Sequence, residues 1–471
     1  MTVPYDFQIA NHNLVLADVL SKKGGRKRLF PDCGTIIFDE AHKLLDTARQ
    51  MYGMEFEDTE LEQLAAHLYR AIGTQNTDRG EIVRLCEELR RQNEQLFHSI
   101  KKTAGTGCEN RSPALRFDLN CISALKALTL ILQRLSVLFC NNEGGPSSRC
   151  FPSDREKSRL YAELVRQMEG TLARLTVLRD YTQSIYWLER TGTTCRICVL
   201  PKQLDCLLFE DIWSAALPYI FTSGTLSVGG DFTHIKKNIG IALCGADRVT
   251  ETSKASPFDY PKNALLYLPS NMPFPDVRNA VYFTAAVEQI MALIAATHGH
   301  TLVLFTSYRM MERVFEEVRH HITAYPLFMM GKGRLNVLGD FRKSHNGVLF
   351  ASDSAGEGID LAGDILSSLI VVRLPFPVPD PVSEYEKTLY SDFHSYLNEV
   401  IVPGMLIKLR QWIGRGIRRE TDTCVFSILD SRAHGRYRND ISAALPSMPV
   451  TDSIDDVRRF ILGKKGENYF E

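Results

Sequence analysis

The sequence predicts an α/β protein in which a mostly helical module interrupts the α/β pattern. Apolar runs of strand length recur from about residue 260 onward, with helical segments between them; they are 301–305, 347–351, 369–372 and 425–429. Such alternation is typical of a parallel sheet covered by helices. An earlier apolar run, 35–38, ends in two acids, as a buried strand does where it reaches the edge of a sheet.

The remaining elements follow in chain order. Residues 7–20 predict a strand and a short helix, and a basic loop leads to the strand at 36–38. Between about 50 and 190, apolar residues three and four apart predict amphipathic helices. These residues are Leu125, Leu128, Leu132, Leu135 and Phe139, and then Leu160, Leu164, Met168, Leu172 and Leu175. A strand at 218–226 follows, before the second α/β region begins.

Composition narrows the class of protein. The 471 residues suggest about three domains. A net charge of −1 gives no whole-chain signature of nucleic-acid binding, so any such contact must come from local basic patches. We find no apolar stretch of the roughly 20 residues that a bilayer requires, and no secretory signal at the N-terminus. Eleven irregularly placed cysteines indicate reduced thiols, so we expect a cytoplasmic protein without membrane association.

The acidic pair Asp39 and Glu40 belongs to the string Asp-Glu-Ala-His at the end of the first apolar run. An Asp at such a strand end can hold Mg²⁺ through water, and the neighbouring Glu can orient an attacking water. A lone acid pair is otherwise a solvated surface feature. His42 is equally compatible with a structural hydrogen bond.

A second string, Gln-x-x-Gly-Arg-x-x-Arg, occupies 411–418. Its arginines, Arg415 and Arg418, are three residues apart and would share one face of a helix. From there they can reach the γ-phosphate of a nucleotide, as arginine fingers do. The alternative is a solvated basic helix face, but the glycine inside the string favours a close backbone approach.

The phosphate-cradling loop that should accompany these strings is missing from this sequence. Its pattern is G-x-x-x-x-G-K-[ST], placed on a strand and helix before the acidic pair. Only 38 residues precede Asp39, and the glycine-lysine cluster at 21–28 has the wrong spacing. The cluster at 331–333 comes late and also lacks the pattern.

Two further segments place small or hydroxyl residues directly after predicted strands. They are 354–360, which contains Gly356, Gly358 and Asp360, and 222–225, which contains Thr222, Ser223 and Thr225. Such strand ends bind ligands in α/β proteins, although an ordinary turn has the same composition. Both segments are also suited to contact nucleic-acid phosphates. Cys195 and Cys198 have no second pair at metal spacing, so we interpret them as core or surface thiols.

Taken together, these strings resemble the DinG and XPD helicases of superfamily 2, and among them the bacterial DinG-type proteins. The matching segments are 39–42 for motif II, 221–226 for motif III, 306–308 for the motif IV region, 356–360 for motif V and 411–418 for motif VI. Segments 5–12, 256–260 and 374–381 are also similar to that family. The resemblance covers nearly the whole chain.

The resemblance implies two RecA-like parallel-sheet domains, the first incomplete, and an arch-type helical insertion. The predicted domains are 1–49 with 191–250, the insertion 50–190, and 251–471. It also implies an ATP-driven translocase with Mg²⁺, moving 5′ to 3′ on single-stranded DNA or DNA with a 5′ single-stranded tail. The family carries an iron–sulfur domain before motif II. Only Cys33 precedes Asp39 here, so we expect no cluster in this chain.

The resemblance also implies residue roles. Asp39 would hold Mg²⁺ and Glu40 would activate water, while Arg415 and Arg418 would stabilise charge on the transferring phosphate. Gln411 and His42 would link the site to nucleic acid. Motif V would couple the second domain to nucleotide through Gly356, Gly358 and Asp360. The residues expected to contact DNA phosphates are Thr222, Ser223, Thr225, Ser307 and Tyr308.

Two functional hypotheses follow. In the first, the chain is a helicase polypeptide whose phosphate loop and iron–sulfur domain come from a separate chain, or are lost from the gene as read. In the second, it is a non-hydrolysing nucleic-acid-binding remnant or a subunit of a split helicase. An upstream reading frame with a phosphate loop and four cysteines would favour the first.

Overall fold

The computed structural model divides into two compact units that do not follow single stretches of sequence. The first unit comprises Met1–Phe221, Lys236–Arg248 and Val378–Phe393; the second comprises Thr222–Ile235, Val249–Pro377 and His394–Glu471. The residues that the structure describes are 7–25, 27–72, 78–104, 111–141, 152–180, 182–276, 278–331, 336–352, 361 and 363–470.

Helices and strands alternate as expected for the α/β class. The strands are β1 Ile36–Phe38, β2 Met54–Glu57, β3 Ser184–Thr191, β4 Thr194–Pro201, β5 Tyr219–Phe221, β6 Ala264–Tyr267, β7 Thr301–Phe305, β8 Leu327–Met329, β9 Val348–Ser352, β10 Ser368–Val371, β11 Cys424–Ile428 and β12 Val450–Thr451. The helices are α1 His12–Lys23, α2 Leu44–Tyr52, α3 Glu60–Ala71, α4 Arg79–Ala104, α5 Leu119–Asn141, α6 Pro152–Arg179, α7 Leu204–Leu208, α8 Thr233–Asn238, α9 Tyr260–Asn263, α10 Ala280–Ala296, α11 Tyr308–His321, α12 Val337–Lys343, α13 Pro381–Lys387, α14 Phe393–Tyr396, α15 Val402–Ile413, α16 Ser431–His434, α17 Arg438–Ala444 and α18 Ile454–Lys464. The predicted fold class is confirmed.

The second unit is built on one sheet. In the described residues it has seven parallel strands in the order β12-β6-β11-β10-β7-β9-β8. The side chains of β7 point alternately to the two faces of the sheet. Leu302 and Leu304 pack in one hydrophobic core, and Val303 and Phe305 pack in the other. A strand buried on both faces has no polar side to show, which is why its sequence is an unbroken apolar run. The four strands predicted in this region are confirmed within one residue at each end.

The helical module lies in the first unit. Helices α3, α4, α5 and α6 share a single hydrophobic core with an antiparallel sheet of order β2-β4-β3. The first predicted leucine stripe is buried along its whole length, and the second is buried at Leu164, Met168 and Leu175. Strands β2 and β3 were not predicted. They pair with β4 from opposite sides and contribute Phe56, Tyr186 and Leu188 to the module's core.

One helix of this module has the length and composition of a membrane span. Residues Leu119–Cys140 of α5 have a mean hydropathy of 1.6, and half of that stretch is buried inside the protein. Lys126, Gln133 and Arg134 interrupt the apolar run of this helix, so it does not contradict the prediction that the sequence has no continuous apolar stretch of about 20 residues. A core helix of a folded module satisfies the same test, and Leu125, Leu128 and Leu132 pack in the module's core.

The strand predicted within 7–20 is also wrong. Residues 7–11 contain no strand, and Phe7 and Ile9 are exposed. The Asn11 side chain accepts a hydrogen bond from the Leu14 amide at 2.9 Å, so it caps α1 and starts the helix at His12. An apolar alternation alone cannot form a strand where no neighbouring strand offers hydrogen bonds.

Segment 378–393 packs in the first unit although its sequence neighbours belong to the second. Val382 on α13 contacts Ile185 of β3 and Leu200 of β4. Arg49 pairs with Glu386 at 2.9 Å, and burial raises the pKa of that carboxyl while Arg49 opposes the rise. Segment 222–235 likewise belongs to the second unit. These units are not the three predicted domains, and that division remains a prediction.

We expect Val382→Asp to destabilise the first unit by about 2–4 kcal/mol, because it places an unpaired carboxylate against apolar side chains. Urea unfolding followed by tryptophan fluorescence measures the change. Val378→Asp is the matched control, since Val378 in the same segment is 79% exposed. Equal midpoints for the two variants would contradict the packing described for α13.

Candidate functional site

The acidic pair lies directly after β1, at the strand's carboxyl end. Asp39 Oδ1 accepts a hydrogen bond from the Glu40 amide at 3.0 Å. The Glu40 backbone is left-handed, with φ of 48°, an uncommon conformation for a residue with a side chain. Its carboxylate lies 3.2 Å from Nδ1 of His42, and both carboxylates are exposed. The predicted residues Asp39, Glu40 and His42 therefore form one cluster.

Strand β1 that carries this cluster is covered on one face only. Phe38 packs against Trp213, Phe221 and His12, with ring centroids 5.5–6.0 Å apart. On the other face Ile37 and its register partner Ile220 are 56% and 48% exposed. In the described residues β1 and β5 pair only with each other. Parallel strands are usually covered on both faces, so this sheet presents an open apolar side.

The turn that carries the two arginines is not helical, which corrects the prediction that they share a helix face. Helix α15 ends at Ile413, and Arg415 is buried whereas Arg418 is exposed. Gly416 explains the early end of the helix. A Cβ there would lie 2.5 Å from the Phe426 ring and 2.7 Å from Cys424 Sγ, so the chain turns directly against β11.

Asp422 holds this turn, and sequence reasoning missed it. Its buried carboxylate accepts hydrogen bonds from the amides of Arg418 and Arg419, both at 2.8 Å, and from the Gly363 amide at 3.1 Å. A carboxylate that accepts three amides fixes the path of the loop. The available signal was an Asp four residues after an arginine in a polar turn, a pattern typical of side-chain-to-backbone bonding.

Gln411 of α15 contacts the segment after β5. Its Nε2 donates to Oγ1 of Thr225 at 3.2 Å, and the Thr225 amide donates to Ser223 Oγ at 3.2 Å. Arg410 reaches the Ser227 carbonyl at 3.3 Å. Predicted residues of the third and sixth motifs are thus joined within the second unit. Thr222, beside them, is exposed.

Ser307 and Tyr308 lie elsewhere in the second unit, where α11 begins after β7. Ser307 is the N-cap of α11, and its hydroxyl accepts from the Met310 amide at 3.4 Å. Tyr308 is exposed, and its hydroxyl lies close to Gly331. The motif V residues Gly356, Gly358 and Asp360 lie outside the described residues.

The described residues offer few metal ligands. No group of three or more His, Cys, Asp or Glu side chains converges within the described part of the chain. Asp39 remains a suitable partner for Mg²⁺, because that ion binds proteins through one or two carboxylates and takes its other ligands from phosphates and water. Cys195 and Cys198 are buried in β4, and burial raises the pKa of the Cys198 thiol to about 12. They are core thiols, which is the first of the two predicted alternatives, core or surface.

We expect Gly416→Ala to destabilise the second unit by about 1–3 kcal/mol, because the new methyl group overlaps buried atoms of β11 that cannot move aside. The unfolding midpoint in urea measures the change. Gly463→Ala in α18 is the control, since no atom lies within 4 Å of its Cβ position. An unchanged unfolding midpoint for Gly416→Ala would contradict the close packing of this turn against β11.

Comparison with known proteins places this chain in a protein family. Residues 290–448 match the helicase C-terminal domain. The ATP-dependent DNA helicase YoaA of Escherichia coli K12 is 30% identical over 469 residues, which cover 97% of this chain and 69% of YoaA. The ATP-dependent DNA helicase DinG of Photobacterium profundum is 26% identical, over 94% of this chain and 68% of DinG. The structure of S. tokodaii Xpd4 superimposes with a TM-score of 0.59 at 15% identity, over 94% and 81% of the two chains, and so supports the fold.

The parallel-sheet architecture and the sequence relatives together identify a superfamily 2 helicase of the DinG and XPD type. This confirms the resemblance drawn from the sequence motifs. The chain belongs to the family of ATP-dependent DNA helicases that includes YoaA and DinG.

Proposed function

We propose that this chain is the motor part of an ATP-driven translocase that moves 5′ to 3′ along single-stranded DNA in the cytoplasm and unwinds duplexes with a 5′ single-stranded tail. The observation that carries the proposal is the acidic strand end, where Glu40 is exposed, backbone-strained and paired with His42. Strained residues that the surrounding structure retains are concentrated at functional sites. The family membership supports the same activity.

Each residue of the site has a role in this proposal. Asp39 holds Mg²⁺, and Glu40 orients the attacking water and takes its proton. Mg²⁺, when bound with ATP, neutralises charge on the β- and γ-phosphates. Arg415 and Arg418 stabilise the charge on the transferring phosphate, and Asp422 keeps them in place through the turn. The motif V residues Gly356, Gly358 and Asp360 couple the second domain to the nucleotide.

DNA contacts come from the strand ends of the second unit. Thr222 and Ser223 bind backbone phosphates. The hydrogen bond from Gln411 to Thr225 couples this segment to α15. Gln411 and His42 thereby link nucleotide and nucleic acid. Ser307 and Tyr308 provide a second contact at the start of α11. Hydroxyl groups and helix N-termini are common partners of DNA phosphates, and they read no sequence.

The phosphate loop must come from residues other than these 471, because none of them fits its pattern. We propose that a separate α/β segment carrying the loop, together with an iron–sulfur domain, docks on the open side of β1 and β5. The exposed Ile37 and Ile220 support this, since an added parallel strand and its helix would cover them. The alternative is that the chain is a non-hydrolysing nucleic-acid-binding subunit. This alternative holds if no partner supplies the phosphate loop.

We expect the isolated chain to bind single-stranded DNA weakly and with strong salt dependence, because the contacts are mostly to phosphates. Fluorescence anisotropy with a labelled oligothymidine at 50 and 200 mM salt measures both properties. Affinity should fall by about tenfold or more over that range. Binding that ignores salt, or none at 50 mM, would remove DNA from the proposed function.

A further inference from the structure

A pocket of about 250 Å³ lies in the second unit where α11 begins, and Ser307 is the one lining residue that the predicted motifs include. The lining residues are Arg278, Ser307, Arg309, Met310 and Arg313. Three of these five side chains carry a guanidinium group. Arg309 and Arg313 are one turn apart on α11, and Arg278 approaches from the segment that precedes α10.

No carboxylate in the described part of the chain neutralises the positive charge of this pocket. None of the three guanidinium groups forms an ion pair or a hydrogen bond with any residue that the structure describes. Arg319, further along the same helix, shows the ordinary arrangement, since it pairs with Glu316 at 2.8 Å. The nearby Asp276 carboxylate accepts the backbone amide of Arg278 at 2.9 Å. Exposed cations held together without a counter-ion repel one another, so their grouping indicates an anionic ligand.

Two further features prepare the pocket for an anion. The Arg313 guanidinium lies over the Phe283 ring, 4.5 Å from its centroid, and this stacking holds the charged group in place. Ser307 caps α11 through the Met310 amide, so the pocket lies at the positive end of a 14-residue helix. The Ser307 hydroxyl oxygen accepts the cap hydrogen bond and its O–H can still donate to a ligand, while the arginines supply the charged donors.

We propose that Arg278, Arg309 and Arg313 form a binding site for a backbone phosphate of single-stranded DNA; this deepens the proposed function and rests on it. A planar guanidinium group binds phosphate in a bidentate manner, with two parallel N–H···O hydrogen bonds. The volume holds a phosphodiester with its sugar, and among the residues that the structure describes no aromatic side chain lines the pocket to stack on a base. The site therefore binds the DNA backbone and does not distinguish one base sequence from another.

The test uses the full 471-residue chain and labelled oligothymidine, with anisotropy measured from 50 to 200 mM salt. Each of Arg278→Ala, Arg309→Ala and Arg313→Ala should weaken binding about tenfold at 50 mM. The triple variant should also lower the slope of log affinity against log salt by about 0.7, since the proposed site holds one phosphate and each single-strand phosphate contact contributes about 0.7. Arg309→Lys should fall between wild type and Arg309→Ala, because it keeps the charge but loses the paired hydrogen bonds.

Arg319→Ala is the matched control and should leave affinity within about twofold, since its charge is already paired. A triple variant that binds with the wild-type slope would overturn the phosphate site while leaving the proposed function intact. A wild-type chain that binds no DNA would overturn both. If inorganic phosphate alone protects the wild type, but not the triple variant, from thermal unfolding while DNA affinity stays equal, the pocket takes free anions and the DNA proposal is wrong.

Discussion

The isolated 471-residue chain should hydrolyse ATP far more slowly than about 1 s⁻¹, even with saturating single-stranded DNA. A phosphate loop supplies backbone amides and a lysine to the β- and γ-phosphates, and no segment of this sequence replaces them. Without those donors Asp39 and Glu40 have no positioned phosphate on which to act. The measurement is a steady-state coupled assay with and without oligothymidine.

The control for this assay is the same chain mixed with an α/β polypeptide that carries the phosphate-loop pattern G-x-x-x-x-G-K-[ST]. Restored turnover would support docking on the open side of β1 and β5. Turnover of about 1 s⁻¹ or more by the isolated chain would show that another part of it binds the phosphates, and the proposed dependence on a partner would be wrong.

In any assembly that does hydrolyse ATP, Glu40→Gln should lower turnover by about 100-fold or more while leaving DNA affinity nearly unchanged. The amide keeps the size of the side chain but cannot take a proton from water, and a positioned base contributes about 10²–10⁴-fold. Single-turnover hydrolysis and DNA anisotropy on the same preparation separate the two effects.

Glu62→Gln is the matched control, because Glu62 is an exposed acid of the first unit away from β1. It should hydrolyse ATP at the wild-type rate. Unchanged turnover in Glu40→Gln would refute the water-activating role, whereas a parallel loss of DNA binding would indicate that Glu40 supports the local structure through His42.

The parts of the fold that the sequence predicted are those set by local burial. Strand β7 and its neighbours are buried on both faces, so they appear as unbroken apolar runs in any context. The leucine stripe of α5 was equally readable, because it faces a single core. Asp39 was identifiable because it directly follows the short apolar run of β1, although β1 is covered on one face only.

The failures have non-local causes. The turn at Arg415 depends on how closely Gly416 approaches Phe426, which no spacing rule contains. The membership of 378–393 in the first unit depends on Val382 meeting β3, almost 200 residues earlier in the chain. The arginine pocket joins Arg278 to α11 across α10 and β7, so its members are not neighbours in sequence.

The exchange of segments 222–235 and 378–393 has a practical consequence for dissecting this protein. The chain passes between the two units five times, after residues 221, 235, 248, 377 and 393. A single truncation therefore cannot separate them, and a fragment such as 260–471 would lack part of its own unit and carry an orphaned helix, α13, with an apolar surface. A fragment of the second unit for crystallisation or interaction screens should instead omit 378–393 and include 222–235, joined by a designed linker. Such a fragment contains all the segments of that unit.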